Sequence, residues 1–348
     1  MSRPLIAVSV GVSNTDEVLR AMERVARVAD VAEIRLDFMS EYDLSTLLRH
    51  RPCPVIITHR PEREGGRYQG DERSRIEPLL EAIELGAEHV DIEWDAAELL
   101  ADVDRPRTRL IVSSHDFERM PDDLPGRYRL LAGKGADVIK LVGMAHDVTD
   151  LIPVARIWRE MDRPTIAIAM GPVGMASRIL SLRSPSCYLT YATLGDGARQ
   201  VAPGQLAVAD LHDVYRVREI NAQTVAFGHL APELPPRDIM ARGNTRLREA
   251  GMNAVWVPLI ATRVEEGTLR TLEALDLAGC SVDAALSGWM AAALDHLTPA
   301  ARQEGEVDIL VRLSDGRWLG HYLGGDVRAW VAWWVEQLAS GAHLSGRE

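Results

Sequence analysis

The sequence predicts an α/β protein, a (β/α)8 TIM barrel followed by a smaller α/β domain, and three observations lead to this fold class. Eight short β-branched runs alternate with amphipathic stretches through the first two thirds of the 348 residues. This alternation is typical of βα units, whose strands form a parallel sheet. After about residue 222 the pattern changes, and six of the eight tryptophans lie beyond that point. We therefore predict a barrel over residues 1–220 and a second domain over residues 221–348.

The eight predicted strands follow one another at the spacing of a closed barrel. They cover residues 4–10, 32–38, 54–60, 89–94, 110–116, 136–143, 164–170 and 187–193. A doubly wound sheet is the alternative, but the sequence has no Gly-rich dinucleotide fingerprint that would favour it. We expect the barrel to close near residue 218, after a helical stretch over residues 206–217.

The predicted helices show apolar residues at helical spacing. One helix is predicted to begin with Thr15 as its N-cap residue. Another is predicted to end at Gly86, after the apolar series Ile76, Leu79, Leu80 and Ile83. In the second domain the pattern predicts a strand over residues 224–227, a helix over 237–250 and a strand over 254–258, followed by a further helix and strand.

Composition excludes several functional classes. Hydrophobic residues make up 47% and charged residues 26%, as in ordinary soluble globular proteins. The net charge of -12 argues against nonspecific binding to nucleic acid or to an anionic membrane. No apolar run is long enough for a signal peptide or a membrane helix. The three cysteines show no metal-type spacing and suit a reducing compartment, so we expect a cytoplasmic protein without nucleic-acid or membrane partners.

Lys140 is the first candidate for chemistry, because it lies within an apolar β run, Gly-Ala-Asp-Val-Ile-Lys-Leu-Val-Gly. Inside a barrel sheet its amine has no easy route to solvent. Desolvation favours the neutral amine, which is the nucleophile that forms an imine with a ketone. The alternative is a structural ion pair between Lys140 and a carboxylate such as Glu33 or Glu93.

His115 is the second candidate and ends the strand before that of Lys140, in Leu-Ile-Val-Ser-Ser-His-Asp-Phe. The active site of a β/α barrel lies at the C-terminal ends of its strands. Histidine titrates where proton transfer at neutral pH requires it, and Glu64 in the preceding loop is available to orient the ring. Lys140, His115 and Glu64 could thus supply a nucleophile, a base and a group that orients the base. The alternative is a structural role, which is common for a charged residue at a strand end.

Six segments between about residues 4 and 217 resemble the type I 3-dehydroquinate dehydratase family. They are Glu-Ile-Arg-Leu-Asp (33–37), Thr-His-Arg-Pro-Glu-Arg-Glu-Gly-Gly (58–66), Ser-His-Asp-Phe (114–117), Ala-Asp-Val-Ile-Lys (136–140), Met-Gly-Pro-Val-Gly-Met-Ala-Ser-Arg (170–178) and Ala-Pro-Gly-Gln (202–205). Each motif alone is weak, but six in order are highly specific for the family.

This resemblance implies dehydration of 3-dehydroquinate to 3-dehydroshikimate in the shikimate pathway of aromatic amino acid biosynthesis. Lys140 resembles the Schiff-base lysine, His115 the general acid–base and Glu64 the carboxylate that holds the histidine. The implied binding residues are Glu33, Arg35 and Arg60 for the substrate hydroxyls, Arg178 for its carboxylate, Gln205 in a closing loop, Ser9 on the pocket floor and Met170 in the pocket wall. No metal or organic cofactor is implied, and a homodimer is compatible with the sequence.

One position departs from the family pattern. Val201 precedes Ala-Pro-Gly-Gln, where the family commonly has a serine that offers its hydroxyl to the substrate. We expect this change to affect binding by the closing loop but not the imine chemistry.

The second domain resembles, more faintly, the substrate-binding domain of shikimate dehydrogenase. The similar segments begin at residues 251, 277 and 314. Ser287 stands at the position of that family's catalytic lysine and Gly324 at that of its catalytic aspartate, and no nucleotide fingerprint for NADP follows. We therefore expect an inactive domain with a structural, assembly or ligand-sensing role. Its late tryptophans, Trp330, Trp333 and Trp334, are interpreted as core residues or, if exposed, as an interface.

Two other functions remain compatible with these residues. Another class I lyase or aldolase could use a lysine imine in the same strand, although the 60–66 and 202–205 motifs favour the dehydratase. A noncatalytic sensor or scaffold is the other alternative, which the intact set of Lys140, His115 and Glu64 disfavours.

Overall fold

The computed structural model describes residues 3–195, 202–324, 330, 332–334 and 336. Their first sheet has nine strands in the order β7-β6-β5-β4-β3-β2-β1-β8-β9. The strands are β1 (Leu5–Val10), β2 (Val31–Arg35), β3 (Val55–Thr58), β4 (His89–Glu93), β5 (Arg109–Asp116), β6 (Val138–Met144), β7 (Thr165–Met170), β8 (Leu189–Thr193) and β9 (Leu206–Ala207).

Backbone hydrogen bonds from β7 to the start of β8 close this sheet into a ring. The Thr165 amide donates to the Ser186 carbonyl at 2.8 Å, and the Tyr188 amide donates to the Thr165 carbonyl at 2.8 Å. All neighbouring strands are parallel, as the sequence predicts for a β/α barrel. The helices around it are α1 (Thr15–Val28), α2 (Leu44–His50), α3 (Glu72–Glu84), α4 (Leu124–Ala132), α5 (Leu151–Glu160), α6 (Ser177–Leu180) and α7 (Val208–Asp213).

Side chains of alternate strand residues fill the barrel interior, because successive residues of a strand point to opposite faces. This inner cluster includes Ala7, Val31, Ile56, Ile111, Val138, Ile166, Ile168, Leu189 and Tyr191. The other strand face packs against the helices in a larger apolar cluster. The apolar floor leaves the upper strand ends for polar side chains.

Three local details differ from the sequence predictions. The N-cap of α1 is Asn14 rather than Thr15, because the Asn14 side chain accepts a hydrogen bond from the Glu17 amide at 3.0 Å. Residues 36–38 form a 3-10 turn instead of extending β2, whose pairing with β3 ends at Arg35. The stretch 206–217, predicted to be helical, holds the short strand β9 and then the short helix α7.

A second sheet of six strands has the order β11-β10-β12-β14-β15-β13. Its strands are β10 (Val225–Ala231), β11 (Ala254–Ile260), β12 (Leu277–Val282), β13 (His296–Leu297), β14 (Ile309–Arg312) and β15 (Trp318–His321), and its helices are α8 (Arg237–Glu249), α9 (Glu266–Ala274), α10 (Ala284–Ala293) and α11 (Pro299–Glu304). Trp330 and Trp334 are buried, and Trp334 stacks on Phe227 with ring centroids 4.5 Å apart. These tryptophans therefore belong to the core of this unit.

The second sheet packs against the barrel beside the segment that follows β7. Strand β11 contacts the 3-10 turn Val173–Ala176, and α9 contacts α5. Arg183 donates to the Leu275 carbonyl at 3.2 Å and to Asp276 Oδ2 at 3.0 Å. The segment that carries residue 178 is thus held by the second unit on both sides. None of the helices formed by the described residues is long and apolar enough to cross a membrane.

Candidate active site

A pocket opens at the C-terminal ends of the barrel strands. It is lined by every residue that the sequence analysis proposes for the site, namely Ser9, Glu33, Arg35, Arg60, Glu64, His115, Lys140, Met170, Arg178 and Gln205. It is also lined by residues that were not proposed, namely Gly65, Phe117, Val142, Ile168, Tyr191 and Ala202. Because the strands are parallel and in register, residues from distant parts of the chain meet at this one end.

Lys140 reaches this pocket from the middle of β6 and is held by three neighbours. Its Nζ lies 2.8 Å from Asp91 Oδ2, 3.0 Å from the Tyr191 hydroxyl and 3.3 Å from Glu33 Oε1. Only 5% of the lysine side chain is exposed. The ion pair that the sequence offers as an alternative therefore exists, with Glu33 and Asp91 rather than Glu93 as partners. The ammonium must lose a proton to one of its neighbours before the amine can attack a carbonyl carbon.

Arg60 holds the carboxylates beneath the pocket. Its Nη2 donates to Asp91 Oδ1 at 2.8 Å, and its Nη1 donates to Glu93 Oε1 at 2.6 Å and to Ser113 Oγ at 2.7 Å. Burial opposes the ionisation of Asp91, but Arg60 and Lys140 outweigh that effect and lower the Asp91 pKa well below its usual range. Arg60 thus keeps the Asp91 carboxylate charged next to Lys140. The sequence analysis expected Arg60 only as a ligand for the substrate hydroxyls.

His115 and Glu64 form a hydrogen-bonded pair on one wall of the pocket. His115 Nδ1 lies 2.9 Å from Glu64 Oε2, which also accepts the His115 backbone amide at 3.2 Å. Burial raises the pKa of Glu64 to about 8, and burial together with Arg60 lowers the pKa of His115 well below its usual range. Both shifts disfavour a carboxylate–imidazolium ion pair. The imidazole is therefore uncharged at neutral pH. In the tautomer that donates its Nδ1 hydrogen to Glu64, Nε2 is the basic nitrogen.

Glu33 and Arg35 from β2 are fixed by their own partners. Ser9 Oγ donates to Glu33 Oε2 at 2.6 Å, and the Tyr191 hydroxyl donates to Glu33 Oε1 at 3.0 Å. Burial opposes the charge of Glu33, but Lys140 and Arg35 lower its pKa overall. Arg35 binds Asp37 in a bidentate manner, with distances of 2.8 and 2.7 Å. These contacts hold charged and polar groups rigidly around the lysine.

Arg178 differs from the other cations of the pocket because no carboxylate of the described residues forms an ion pair with it. It lies in α6 and is 2% exposed, and its Nη2 donates to the Pro203 carbonyl at 3.2 Å. Its Nε has no hydrogen-bond acceptor among the described residues. Burial lowers the Arg178 pKa to about 10, so the guanidinium is still charged at neutral pH. A charged, planar donor that lines the pocket without a carboxylate partner among the described residues is suited to bind a carboxylate.

The segment 202–205 covers Arg178 and brings Gln205 to the pocket. The Pro203 carbonyl also accepts the Gly171 amide at 3.3 Å. Gly204 has a φ of +72°, and a Cβ there would lie 2.3 Å from the Gly171 carbonyl oxygen, so only glycine allows this approach. Gln205 is 7% exposed. Val201, the departure from the family pattern, lies outside the described residues. Met170 is buried in the pocket wall.

Among the residues that the structure describes, no group of three or more His, Cys, Asp and Glu side chains is arranged to hold a metal ion. The reactive groups of the pocket are a lysine, a histidine–glutamate pair, a tyrosine and an arginine. Together they can form an imine, transfer protons beside it and bind an anion.

Comparison with known proteins agrees with this geometry. The family model described as Type I 3-dehydroquinase matches residues 6–222. The chain belongs to the type I 3-dehydroquinase family. A 3-dehydroquinate dehydratase from Methanopyrus kandleri is 38% identical over 213 residues, which are 59% of this chain and 95% of that protein.

Other members of the family extend the similarity beyond the barrel. The chloroplastic bifunctional 3-dehydroquinate dehydratase/shikimate dehydrogenase of Arabidopsis thaliana is 34% identical over 304 residues, which cover 84% of this chain. The chain spans 50% of the length of that plant relative. A match that reaches past the barrel supports a shared origin for the second unit.

Two solved structures share the fold. The 3-dehydroquinate dehydratase of Geobacillus kaustophilus is 26% identical, with a TM-score of 0.54 over 61% of this chain and 89% of its own. The dehydroquinate dehydratase and shikimate dehydrogenase part of S. pombe AroM is 22% identical, with a TM-score of 0.52 over 92% of this chain and 65% of its own. The second of these likenesses concerns the fold alone.

Proposed function

We propose that this protein dehydrates 3-dehydroquinate to 3-dehydroshikimate through a Schiff base on Lys140. The observation that carries the proposal is that Lys140, the His115–Glu64 pair and Arg178 face one pocket. The substrate is a ketone with a carboxylate and ring hydroxyls. Each of these groups has a matching partner in that pocket, and the chain's place in the type I family supports the same assignment.

Lys140 would condense with the C3 ketone and release water. The resulting protonated imine withdraws electrons from the neighbouring C2 and makes its proton acidic. His115 is uncharged at neutral pH and can remove this proton through Nε2 while Glu64 fixes the ring. The C–H electrons move into the imine, which becomes an enamine.

The elimination then uses the proton that His115 has taken. The imidazolium donates it to the C1 hydroxyl, which leaves as water while the enamine electrons form the C1–C2 double bond. Hydrolysis of the imine releases 3-dehydroshikimate and restores Lys140. One histidine therefore serves as base and then as acid, and His115 is the one histidine among the described residues that line the pocket.

Arg178 would bind the substrate carboxylate. Its positive charge and its Nε, which is unpaired among the described residues, complement a carboxylate, for which a guanidinium offers two parallel donors. Arg35, Arg60 and Lys140 already contact carboxylates of the protein. Among the described residues that line the pocket, Arg178 is therefore the cation without a carboxylate partner from the protein.

Reduction with borohydride in the presence of 3-dehydroquinate tests the proposal. The sequence contains two lysines, Lys134 and Lys140, so the adduct is easily located by peptide mass mapping. We expect irreversible inactivation with added mass on the peptide bearing Lys140. Lys134 pairs with Glu98 at the surface and serves as the internal control. An adduct on Lys134, or no adduct, would contradict the covalent mechanism.

We further propose that residues 1–220 form the catalytic domain and that residues 221–348 form a structural domain without dehydrogenase activity. Ser287, at the position of the catalytic lysine in the shikimate dehydrogenase family, is buried and accepts the Val307 amide at 3.1 Å. Gly324, at the aspartate position, offers no side chain. Shikimate oxidation by the full chain with added NADP would refute this assignment.

A cytoplasmic location and binding of the small-molecule substrate alone complete the proposal. The three cysteines form no disulfide, which suits a reducing compartment. A homodimer is compatible with the exposed Trp289 on α10, whose side chain is 52% exposed. Sedimentation of the full chain would measure its oligomeric state.

A further inference from the structure

The hydroxyl of Tyr191 lies directly against the amine of Lys140. Tyr191 is the third residue of β8 and points into the barrel, where it is 5% exposed and lines the pocket. Its oxygen is 3.0 Å from Lys140 Nζ and 3.0 Å from Glu33 Oε1. Because a carboxylate only accepts and an ammonium only donates, the hydroxyl donates to Glu33 and accepts from Lys140.

Tyr191 approaches Lys140 from the side opposite to His115. Around the barrel, β5 with His115 lies next to β6, whereas β8 with Tyr191 is reached in the other direction through β7. Burial, with Glu33 and Asp91 nearby, raises the pKa of Tyr191 well above its ordinary value. The phenol therefore retains its proton at neutral pH.

We propose that Tyr191 is a catalytic residue for the formation and hydrolysis of the imine on Lys140. In the addition step the Lys140 ammonium first passes a proton to the Glu33 carboxylate, whose Oε1 lies 3.3 Å from Nζ. The lone pair of the resulting amine forms the bond to C3, and the electrons of the C=O double bond move to the carbonyl oxygen. Tyr191 gives its proton to that oxygen and takes one from Nζ. The phenol is regenerated and a neutral carbinolamine results.

The proton held by Glu33 then passes through Tyr191, whose hydroxyl is bonded to that carboxyl, to the carbinolamine hydroxyl. This hydroxyl leaves as water while the nitrogen lone pair forms the protonated imine, so no further reagent is needed. The reverse transfers release the product ketone.

This role of Tyr191 rests on the proposed Schiff-base function. The proton transfers of the reaction would then be shared between His115 and Tyr191. His115 would serve C2 and the C1 hydroxyl, and Tyr191 would serve the nitrogen and oxygen at C3. A hydroxyl that only holds Glu33 in place is the competing explanation. That role would change ligand binding, whereas proton transfer would change the rate of imine formation.

Tyr191→Phe removes only the hydroxyl, and Tyr188→Phe is a matched control. The Tyr188 hydroxyl is also hydrogen-bonded, to His89 Nε2 at 2.6 Å, but it lines a separate pocket that excludes Lys140. Imine formation is followed in a single turnover with 3-dehydroquinate, quenched by borohydride and measured by mass. Binding is measured with quinate, which has a hydroxyl instead of the C3 ketone and cannot form an imine.

We expect Tyr191→Phe to slow imine formation by about 10²-fold, as for the loss of a positioned proton donor. Its affinity for quinate should stay within about twofold of the wild type, and Tyr188→Phe should behave as the wild type. Trapping by Tyr191→Phe at the wild-type rate, or a parallel loss of rate and quinate affinity, would overturn the catalytic role alone. Absence of trapping in the wild type would overturn the Schiff-base function and this role together.

Discussion

Replacing Lys140 with methionine tests how strongly the buried carboxylates depend on the ammonium group. Nζ lies 2.8 Å from Asp91 Oδ2 and 3.3 Å from Glu33 Oε1, and at most 5% of each of these side chains is exposed. In the variant Asp91 still pairs with Arg60, so the loss of the ammonium affects Glu33 more than Asp91. Removing one partner of a buried ion pair costs about 3–5 kcal/mol. Methionine fills a similar volume, so we expect a loss of about 3 kcal/mol in the free energy of unfolding near neutral pH.

This loss should decrease as the pH falls. In the wild type, burial raises the pKa of Glu33 but Lys140 and Arg35 lower it overall. The stability that this lowered pKa provides is present above the ordinary value of 4.5 and is lost below it. Without the ammonium, burial has the larger effect on the pKa of Glu33, and the Glu33 carboxyl takes up a proton more readily. The difference between variant and wild type should therefore be largest near neutral pH and shrink towards pH 4.5.

Urea denaturation at neutral and acidic pH measures this difference, with Lys134→Met as the control. Lys134 is the other lysine, and its partner Glu98 is largely exposed, so its loss should change stability little. Adding Glu33→Gln to the Lys140→Met variant should recover part of the stability without restoring imine trapping. Equal stability of the two lysine variants at neutral pH, or a loss independent of pH, would refute the dependence of Glu33 on Lys140.

Three other predictions concern proton transfer, the carboxylate clamp and the second domain. His115→Ala should lower kcat by about 10²–10⁴-fold. Because burial lowers its pKa, wild-type kcat/KM should stay level as the pH falls through 6.5, and a decline centred there would contradict this. Arg178→Lys should raise KM by about tenfold or more, since an ammonium cannot replace the bidentate fork; an unchanged KM would place the clamp elsewhere. Arg183→Ala should raise KM more than Arg237→Ala, whose partner Asp210 lies in α7 and not in the segment that carries residue 178; equal effects would show that the second domain does not support the carboxylate-binding arginine.

The positions of the barrel strands could be predicted because each strand can be recognised from its own residues. Each strand is a short β-branched run between polar turns, and the structure places every one within a few residues of its predicted bounds. The exceptions are set by contacts that the local pattern does not contain. Asn14 rather than Thr15 caps α1 because its side chain, not that of its neighbour, meets the free Glu17 amide. Hydroxyl and amide caps are nearly equivalent by residue type, so sequence alone cannot choose between adjacent ones.

The partners of Lys140 show where prediction from the sequence stops. Asp91 and Glu93 are two residues apart in β4 and therefore share the inward face, so alternation cannot tell which of them lies at the level of the lysine. The tilt of the strands in the closed barrel decides it, and Asp91 meets the ammonium while Glu93 meets Arg60 and Arg75. Nothing in the sequence shows which of Asp91 and Glu93 lies at the level of Lys140 in the barrel.

Tyr191 could have been found by the same alternation. Leu189, Tyr191 and Thr193 occupy one face of β8, and the apolar Leu189 identifies that face as the interior. A tyrosine on an inward face near the C-terminal end of a barrel strand needs a hydrogen-bond partner for its hydroxyl. The sequence does not show that Tyr191 in β8 lies close to Lys140 in β6, because this distance across the barrel is set by the closure of the ring.

The charge pattern of the pocket explains how an acidic protein could select an anionic substrate. The net charge of -12 would repel an anion at long range, yet screening in physiological salt confines that field to about 8 Å. Inside the pocket the charges of Arg35, Arg60 and Lys140 are matched by carboxylates of the protein. Arg178 has a backbone carbonyl as its hydrogen-bond acceptor in the described part of the chain. A carboxylate bound there would complete a pattern in which each buried cation has an anionic partner, and this is a reason for a carboxylate substrate to prefer this end of the barrel.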